Sequence, residues 1–532
     1  MKDLRTASTN MSVHKYKNLK ALQNSANLNW EISNIQPFFP PIEKLFKTNI
    51  VESPSEYGIK FEKQITGILS ADKITTTNGE VEVHKKVTML LSPFKWMQGD
   101  YGTSFTLPTT SEQSELFRNK LQSHNNAAYV GAIISSALSG CQHFPTIYGV
   151  FTGLAKNHQV DISEEYEDVS ERSWFLQNIG KTFNVKLNEE LNSAFTHTRS
   201  NKVPLVFDKQ TVLDIYTELT SIQDDSVMSD VQRVFREELE NVSDDESDSS
   251  SVSTSYVFAI KSCNCSEASE EFEETDEDEE PFAWATFTNI PVQVTLMEKY
   301  EGTLSELFTS FPEPELQLAW MAQVMFGLAY AQRNFAFTHN DLHSNNVMFT
   351  KTDKDYFYYK CNDTLFQVPT HGYLIKIIDF ERSIISIRLN GMKESKTFMS
   401  DHFSADEEAG GQYNSEPFYV QTQKEIKPNP SFDLVRLATS LFWDLFPEGP
   451  LFDYSSNQVF KFFMKWLTLP DGTSIMFGKD EAKHDRYHEF YLYKAIARYC
   501  KDVAVPRKEV MALKSVYGID ILPTGELLCC VD

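Results

Sequence analysis

Long apolar segments, abundant cysteine and an excess of basic residues are all missing from this sequence of 532 residues. No run approaches the roughly 18 apolar residues that a membrane-spanning helix needs, and the start of the chain lacks the apolar core of a secretory signal. The 7 cysteines are scattered along the chain, which favours a reducing, intracellular compartment over a disulfide framework. Asp and Glu total 75 against 49 Lys and Arg, so we expect neither nucleic acid nor an anionic membrane as partner.

Apolar residues are nonetheless frequent enough for a large core. Hydrophobic residues make up 41% of the chain and aromatic residues 13%, which excludes wholesale disorder. Residues 1–45 are rich in Asn and Lys and end near several prolines, which predicts an extension. Residues 237–280 form an acidic, serine-containing tract that buries too little apolar surface to fold. We expect this tract to be a mobile, solvated loop, or alternatively an acidic segment for a basic partner or a phosphorylation target.

Hydrophobic patterning changes from strand-like to helical near residue 300. The elements predicted before that point are a hairpin turning at Asn78-Gly79, a buried helix, two strands and an amphipathic helical stretch, at 65–91, 125–139, 144–151, 291–300 and 209–241. Two helices that are apolar nearly all round are predicted at 315–335 and 432–446, where they belong in the centre of a large domain. This order predicts an α+β fold with two lobes. The first lobe covers residues 46–300 with an insertion at about 155–285, and the second covers 301–532.

Two carboxylates and an amide after the first of these helices carry the chemistry. Asp341 lies in the segment THNDLHSNNVMF, and Asn346 follows five residues later. Asp379 ends the apolar strand YLIKIID, 38 residues after Asp341, and an enlarged hairpin is predicted over the gap. Phosphoryl transfer uses such a set, because one carboxylate accepts the hydroxyl proton of the acceptor. The amide oxygen and the second carboxylate hold magnesium against the triphosphate.

These segments resemble the catalytic loop H-R-D-L-x-x-x-N and the D-F-G metal site of protein kinases. The resemblance implies that Asp341 is the catalytic base, that Asn346 and Asp379 bind Mg²⁺, and that ATP is the phosphoryl donor. It also implies that His339 braces the loop and that Asp433, in FDLVRLA, binds backbone amides of the loop. For Asp433 the alternative is an acid that only favours the amino terminus of its helix.

More specifically, the chain is similar to the serine/threonine protein kinases of large DNA viruses, the iridovirus-type group in particular. The segments that carry this similarity are HKKVTMLLSPFKWMQGDYG (84–102), NNAAYV (125–130), THNDLHSNNVMF (338–349), YLIKIIDF (373–380), AGGQYN (409–414), IKPNPSFDLVRLA (426–438) and LYKAIARYC (492–500). The similarity implies a two-lobed kinase fold, protein substrates with Ser or Thr acceptors, and a location in the host cytoplasm or the virion. It also places Glu298 and Tyr300, at the end of strand 291–300, against the adenine. A plain strand end is the alternative.

The same resemblance implies a phosphate-binding lysine on the third strand of the first lobe, where Lys85 and Lys86 are the candidates. Val81 and Val83 alternate with Lys85 on one face of the predicted strand, so Lys85 is preferred and Lys86 is the alternative. A pair of solvated lysines without a role in catalysis is the simplest structural interpretation.

Several positions depart from the kinase pattern. No G-x-G-x-x-G is present, and the helix at 125–139 contains no acid to pair with the lysine. Asn340 stands where an arginine is usual, so we do not expect control through a phosphorylated activation loop. His343 replaces a lysine and supplies less positive charge to the transferring phosphate. Glu381 replaces the glycine after Phe380, where it binds a metal, repels the triphosphate or simply faces solvent.

Three functions are therefore compatible with the residues. An ATP-dependent serine/threonine kinase is the expected one. A small-molecule phosphotransferase of the choline- or aminoglycoside-kinase type is an alternative, because HNDL and IDFE also occur in that class. A catalytically weak pseudokinase that acts as a scaffold through its acidic tract is another, because the glycine loop and the helix acid are missing. Retention of Asp341, Asn346 and Asp379 together favours an active enzyme.

Overall fold

The computed structural model describes residues 11–37, 54–102, 113–187, 282–388, 395–404, 407, 409–413, 428–478, 485–487, 489–523 and 529–531. The predicted helical stretch 209–241 and the acidic tract 237–280 lie outside these residues. The chain divides into two compact units. The larger comprises Met1–Leu91, Ser104–Lys156 and Asn289–Asp532, and the smaller comprises Ser92–Thr103 and Asn157–Thr288.

An antiparallel sheet dominates the part of the larger unit that precedes residue 300. The strands of this part of the chain are β1 Val13–Lys15, β2 Ile32–Gln36, β3 Tyr57–Ile59, β4 Ile65–Ile68, β5 Lys73–Thr76, β6 Gly79–Met89, β7 Ile147–Asp161, β8 Asn184–Leu187 and β9 Ala283–Glu298. The sheet has the order β2-β7-β9-β6-β5-β4. The hairpin of β5 and β6 turns just before Gly79, which has a φ of 119° and confirms the predicted turn. Strand β6 runs antiparallel to β9, with Lys86 opposite Thr295.

The helices before residue 300 are α1 Leu19–Asn29, α2 Pro93–Gln98, α3 Glu115–Gln122, α4 Ala127–Leu138, α5 Ser163–Ser170 and α6 Ser173–Asn178. Helix α4 confirms the predicted buried helix, since nearly all its residues are buried. Its amino terminus is capped by Asn126, which accepts from the amide of Ala128 and donates to the carbonyl oxygen of Leu90 at 2.7 Å. Helices α2, α5 and α6 and strand β8 belong to the smaller unit, where β8 pairs with the first residues of β9.

Helices dominate the chain after residue 300, and the fold is therefore α+β as predicted. The elements here are β10 Gly302–Thr303, α7 Leu304–Ser310, α8 Pro314–Phe335, β11 Val347–Lys351, β12 Tyr356–Cys361, β13 Thr364–Pro369, β14 Tyr373–Ile377, β15 Ile384–Ile387, β16 Lys396–Met399, α9 Gly410–Tyr413, α10 Phe432–Leu445, α11 Gln458–Trp466, α12 Glu489–Tyr499, α13 Pro506–Ala512, α14 Lys514–Tyr517, β17 Gly518–Ile519 and β18 Cys529–Cys530. Helix α8 is buried on all sides around Trp320 and Phe326, as its apolar sequence predicts. In the described part of the chain, none of the helices has the length and apolarity needed to cross a membrane.

Strands β11 and β14 bring the two ends of the chemical motif together. They pair antiparallel, with Val347 opposite Ile377, so the residues just before β11 lie beside those just after β14. The intervening chain forms the predicted hairpin, β12 and β13. Its two-residue turn is Asn362-Asp363, and both residues have positive φ, as such a turn requires. The hairpin therefore enlarges the connection without separating the ends of the motif.

His143 has a buried, uncharged ring that contacts strand β12 of this hairpin. Its Nδ1 lies 2.9 Å from the carbonyl oxygen of Ile375 and its Nε2 lies 2.8 Å from the hydroxyl of Tyr359. A neutral ring satisfies both contacts, donating through Nδ1 and accepting through Nε2. Burial, partly offset by the Ile375 bond and reinforced by Lys376, lowers the pKa of His143 from 6.5 to about 4. Protonation of His143 therefore opposes folding.

We expect the free energy of unfolding to fall as the pH is lowered through the range between these two pKa values. The unfolded histidine binds a proton that the folded ring resists, so its contribution is complete above pH 6.5 and is lost as the pH falls through about 4. The limiting slope is about 1.4 kcal/mol per pH unit. His143→Asn keeps a donor for Ile375 but does not titrate, so urea unfolding of this variant should show a shallower pH dependence. Equal slopes for the two proteins would contradict this account.

Candidate active site

Lys86 joins two carboxylates from the segment that follows β14. Its Nζ lies 2.7 Å from Oδ1 of Asp379 and 2.8 Å from Oε1 of Glu381. Burial alone would lower the pKa of Lys86, but the charges of Asp379 and Glu381 outweigh it and raise the pKa. For Asp379 the effects are reversed: burial alone would raise its pKa, but the charge of Lys86 holds the pKa below its usual value. Lys86 and Asp379 are therefore held in their charged forms.

The sequence favoured Lys85 over Lys86 as the phosphate-binding lysine, whereas the structure places Lys86 beside Asp379 and Glu381. Lys85 lies on the opposite face of β6, where its Nζ is 5.5 Å from the centre of the Trp30 ring. Val83 shares that face and is buried. The apolar alternation that favoured Lys85 therefore marks the core side of the strand. Asp379 and Glu381 face its other side.

Asp433 holds the loop that carries Asp341. Both of its carboxylate oxygens accept from the backbone N–H of His339 at 3.0 Å, and Oδ1 also accepts from the N–H of Asn340 at 3.0 Å. The predicted contact between Asp433 and the loop amides is confirmed. The ring of His339 completes the brace, since its Nε2 lies 2.7 Å from the carbonyl oxygen of Ile378. Asp433 and His339 together fix the backbone on both sides of the site.

We expect Asp433→Ala to destabilise the protein by about 2–5 kcal/mol, because it leaves two buried backbone N–H groups without an acceptor. Urea unfolding measures this loss. Asp444→Ala is the matched control, since Asp444 is exposed on the same helix and, among the described residues, bonds only the side chain of Ser305. The control should stay within about 0.5 kcal/mol of the wild type. A loss of the same size in both variants would contradict the bracing role of Asp433.

Asn340, which stands in place of an arginine, links the loop to helix α9. Its side-chain oxygen accepts from the hydroxyl of Tyr413 at 2.6 Å, and its amino group donates to the carbonyl oxygen of Arg382 at 3.0 Å. Asn340 has a φ of 66°, a left-handed conformation that asparagine tolerates better than most residues. The neutral amide of Asn340 thus bonds Tyr413 and the backbone of Arg382, and neither contact requires a phosphorylated residue.

Among the described residues, two side chains contact the carboxylate oxygens of Asp341. Tyr493, on α12, donates its hydroxyl to Oδ1 at 2.7 Å, and Nη1 of Arg382 lies 3.5 Å from Oδ2. Burial would raise the pKa of Asp341, but Arg382, His343 and the Tyr493 bond together lower it. Asp341 is therefore an ionised, oriented carboxylate at neutral pH and can accept a proton.

Asn346 connects Asp341 to the segment that carries Asp379. Its amino group donates to the carbonyl oxygen of Asp341 at 2.8 Å and contacts Nε2 of His343 at 3.0 Å. Its backbone carbonyl accepts from the N–H of Ile378, directly before Asp379, at 3.0 Å. The structure thus brings Asp341, Asn346 and Asp379 together. Burial is the main factor that lowers the pKa of His343, so its ring accepts as a neutral group.

One carboxylate oxygen of Glu298 is engaged by two groups of the protein. Its Oε1 lies 2.6 Å from Nζ of the buried Lys376 and accepts from the N–H of Thr146 at 2.8 Å. This ion pair joins the end of β9 to β14. The structure thus pairs Oε1 of Glu298 with Lys376, and the expected contact of Glu298 with an adenine stays a prediction.

Tyr300 retains an unused polar group at the end of the same strand. Its hydroxyl oxygen is buried, and no hydrogen-bond partner for it occurs among the described residues. Burial, together with Glu298 and Tyr148, raises its pKa far above the usual value. A buried hydroxyl without a partner is costly, and a bound polar molecule would relieve that cost.

Asn346 and Asp379 carry oxygen atoms of the type that binds magnesium. The amino group of Asn346 is committed to Asp341 and His343, which directs its side-chain oxygen away from them. Magnesium is usually bound by one or two carboxylates together with phosphate and water oxygens. Over the described ranges, no group of three or more His, Cys, Asp or Glu side chains is arranged to hold a metal. The remaining ligands would therefore come from the phosphates and water.

Sequence reasoning missed three groups at this site. Tyr493 and Arg382 contact Asp341, and Lys376 neutralises Glu298. Arg382 directly follows Glu381, and this adjacency was the only feature of the sequence that placed Arg382 near the site. Tyr493 is 152 residues from Asp341, and no local pattern predicts a contact over that separation.

Comparison with known proteins identifies no family model that matches the chain and no curated protein that matches its sequence. Function is therefore inferred from the contacts of Lys86, Asp341, Asn346 and Asp379 themselves.

Proposed function

We propose that this chain is an ATP- and magnesium-dependent kinase of the type found in large DNA viruses, transferring the γ-phosphoryl group to Ser or Thr hydroxyls of proteins. The observation that carries the proposal is the convergence of Lys86, Asp341, Asn346 and Asp379. One cation, one ionised base and two oxygen ligands are held within one network of hydrogen bonds and ion pairs. Phosphoryl transfer needs this set and little other covalent chemistry from the protein.

Each side chain has a defined part in the proposed reaction. Lys86 binds the α- and β-phosphates, while Asn346 and Asp379 hold magnesium, which neutralises phosphate charge when bound. Asp341 orients the acceptor hydroxyl and takes its proton. The bond from the acceptor oxygen to the γ-phosphorus forms as the β–γ bridging bond breaks, and ADP leaves. Arg382 lies close enough to Asp341 to supply positive charge that the neutral His343 does not.

The order of elements supports a two-lobed kinase fold for the larger unit. The phosphate-binding lysine lies on β6, next to the strand β9 that leads to the proposed adenine site at Tyr300. The loop of Asp341 then follows the buried helix α8, and Asp433 on α10 braces it. This sequence of elements is the one that the resemblance to kinases implies.

A scaffold with weak catalysis is the second candidate. The connection between β4 and β5 covers residues 69–72, and it contains no glycine. It carries Asp72, whose carboxylate accepts from the hydroxyl of Ser70 at 2.8 Å. An acidic turn offers less to a triphosphate than a glycine loop whose backbone amides face the phosphates.

The proposed function is tested by incubating the full chain with ATP, with magnesium or with EDTA, and three sets of acceptors. The sets are basic proteins, choline and an aminoglycoside. Mass spectrometry should find phosphate on Ser or Thr of the proteins only when magnesium is present. Labelling confined to the small alcohols would assign a small-molecule phosphotransferase. ATP binding without transfer to any acceptor would assign the scaffold.

A further inference from the structure

The partner of the phosphate-binding lysine comes from an unusual place in the chain. Helix α4 contains no acidic residue. The carboxylate that meets Lys86 instead belongs to Glu381, two residues after Asp379. Lys86 and Thr88 lie on the same face of β6, and both contact Oε1 of Glu381, at 2.8 and 2.7 Å. These two contacts hold the carboxylate of Glu381 against β6.

Helix α4 is shaped to admit this glutamate. A Cβ atom added at Gly131 would lie 3.1 Å from Cγ of Glu381 and 3.6 Å from its backbone nitrogen. Any larger side chain at this position would therefore push Glu381 away from Lys86. Helix α4 therefore supplies no acid to Lys86, and its glycine at 131 leaves room for Glu381. The carboxylate that pairs with Lys86 comes from the segment after β14.

We propose that Glu381 is the positioning residue that holds Lys86 against the α- and β-phosphates of ATP, in place of a helix acid; this role rests on the proposed kinase function. Asp379 also pairs with Lys86, but its carboxylate is needed for magnesium once nucleotide is bound. Glu381 keeps the lysine oriented when Asp379 changes partner. The lysine–glutamate pair is then formed by β6 and the segment 379–381, without a carboxylate from α4.

The first test measures ATP affinity in EDTA by calorimetry, where a role in magnesium binding cannot contribute. Glu381→Gln should weaken binding about tenfold, because Lys86 is then left with Asp379 alone and loses the charged partner that Thr88 holds against β6. Glu82→Gln is the matched control, since Glu82 is an exposed carboxylate on the same strand that pairs with Lys299. The control should bind ATP as the wild type does. Thermal unfolding of each variant without nucleotide shows whether it remains folded.

The second test asks whether Glu381 acts through Lys86. In a Lys86→Ala background, Glu381→Gln should cause no further weakening, because the group it positions is gone. The double variant Gly131→Glu with Glu381→Gly moves the carboxylate to α4 and should restore ATP affinity to within about threefold of wild type.

Each outcome separates the two proposals. Wild-type affinity for ATP in Glu381→Gln would overturn the positioning role and leave the kinase function intact. Weakening of the same size in the Lys86→Ala background would show that Glu381 does not act through Lys86 and would also overturn the positioning role. A wild-type chain that binds no ATP would overturn the proposed function itself.

Discussion

Asp341→Asn is expected to lower the rate of phosphoryl transfer by about 10³-fold while leaving ATP binding within about twofold of wild type. Asparagine has the shape of the aspartate and can still accept from Tyr493, but it cannot take the proton of the acceptor hydroxyl. The low pKa of Asp341 means that the wild-type group is ionised throughout the neutral range. Single-turnover transfer to a protein acceptor measures the loss, and calorimetry measures ATP binding.

The control for this variant is Asp363→Asn. Asp363 lies in the exposed turn between β12 and β13 at a positive φ that asparagine also adopts. The substitution changes the net charge by the same amount and should leave transfer unchanged. If Asp341→Asn keeps more than about a tenth of the wild-type rate, another group must accept the proton and the assignment of the base is wrong.

Lys86→Ala is expected to lower kcat/KM by about 10²-fold, because it removes a half-buried cation from the proposed phosphate site. Lys85→Ala is the natural control, since it removes the neighbouring lysine from the same strand. Lys85 lies over the Trp30 ring, so its loss should cost about 0.5–1 kcal/mol of stability and little activity.

The two lysine variants are compared by steady-state kinetics and by thermal unfolding. The expected pattern is loss of activity for Lys86→Ala and a small loss of stability for Lys85→Ala. A larger fall in kcat/KM for Lys85→Ala than for Lys86→Ala would show that the lysine over Trp30 turns to the phosphates when nucleotide binds.

The elements with the strongest periodicity were predictable from the sequence. Helices α8 and α10 are apolar nearly all round, and no surface position suits such a sequence. The turn before Gly79 and the turn at Asn362-Asp363 follow from residues that adopt positive φ. Boundaries still moved, by as many as ten residues. The predicted strand 144–151, for instance, is Ile147–Asp161, because its later, polar positions lack the pattern of a buried strand.

The choice between Lys85 and Lys86 shows where periodicity stops being informative. Alternation along β6 separates two faces, but both faces of this strand are covered, one by Trp30 and the other by Glu381. A pattern of apolar residues identifies the core face. It does not show which polar residue meets a carboxylate more than 290 residues away.

The order of Asp341, Asn346 and Asp379, their flanking helix and strands, and the α+β class were determined by the sequence alone, because local spacing and hydrophobic period are properties of neighbouring residues. Only the tertiary structure decided which lysine meets Asp379, that Glu298 is neutralised by Lys376, and that Glu381 and Tyr493 contact the site. Those contacts join segments far apart in the chain. Their side chains meet only after strands pair and helices pack, and no local pattern records which distant charge completes each pair.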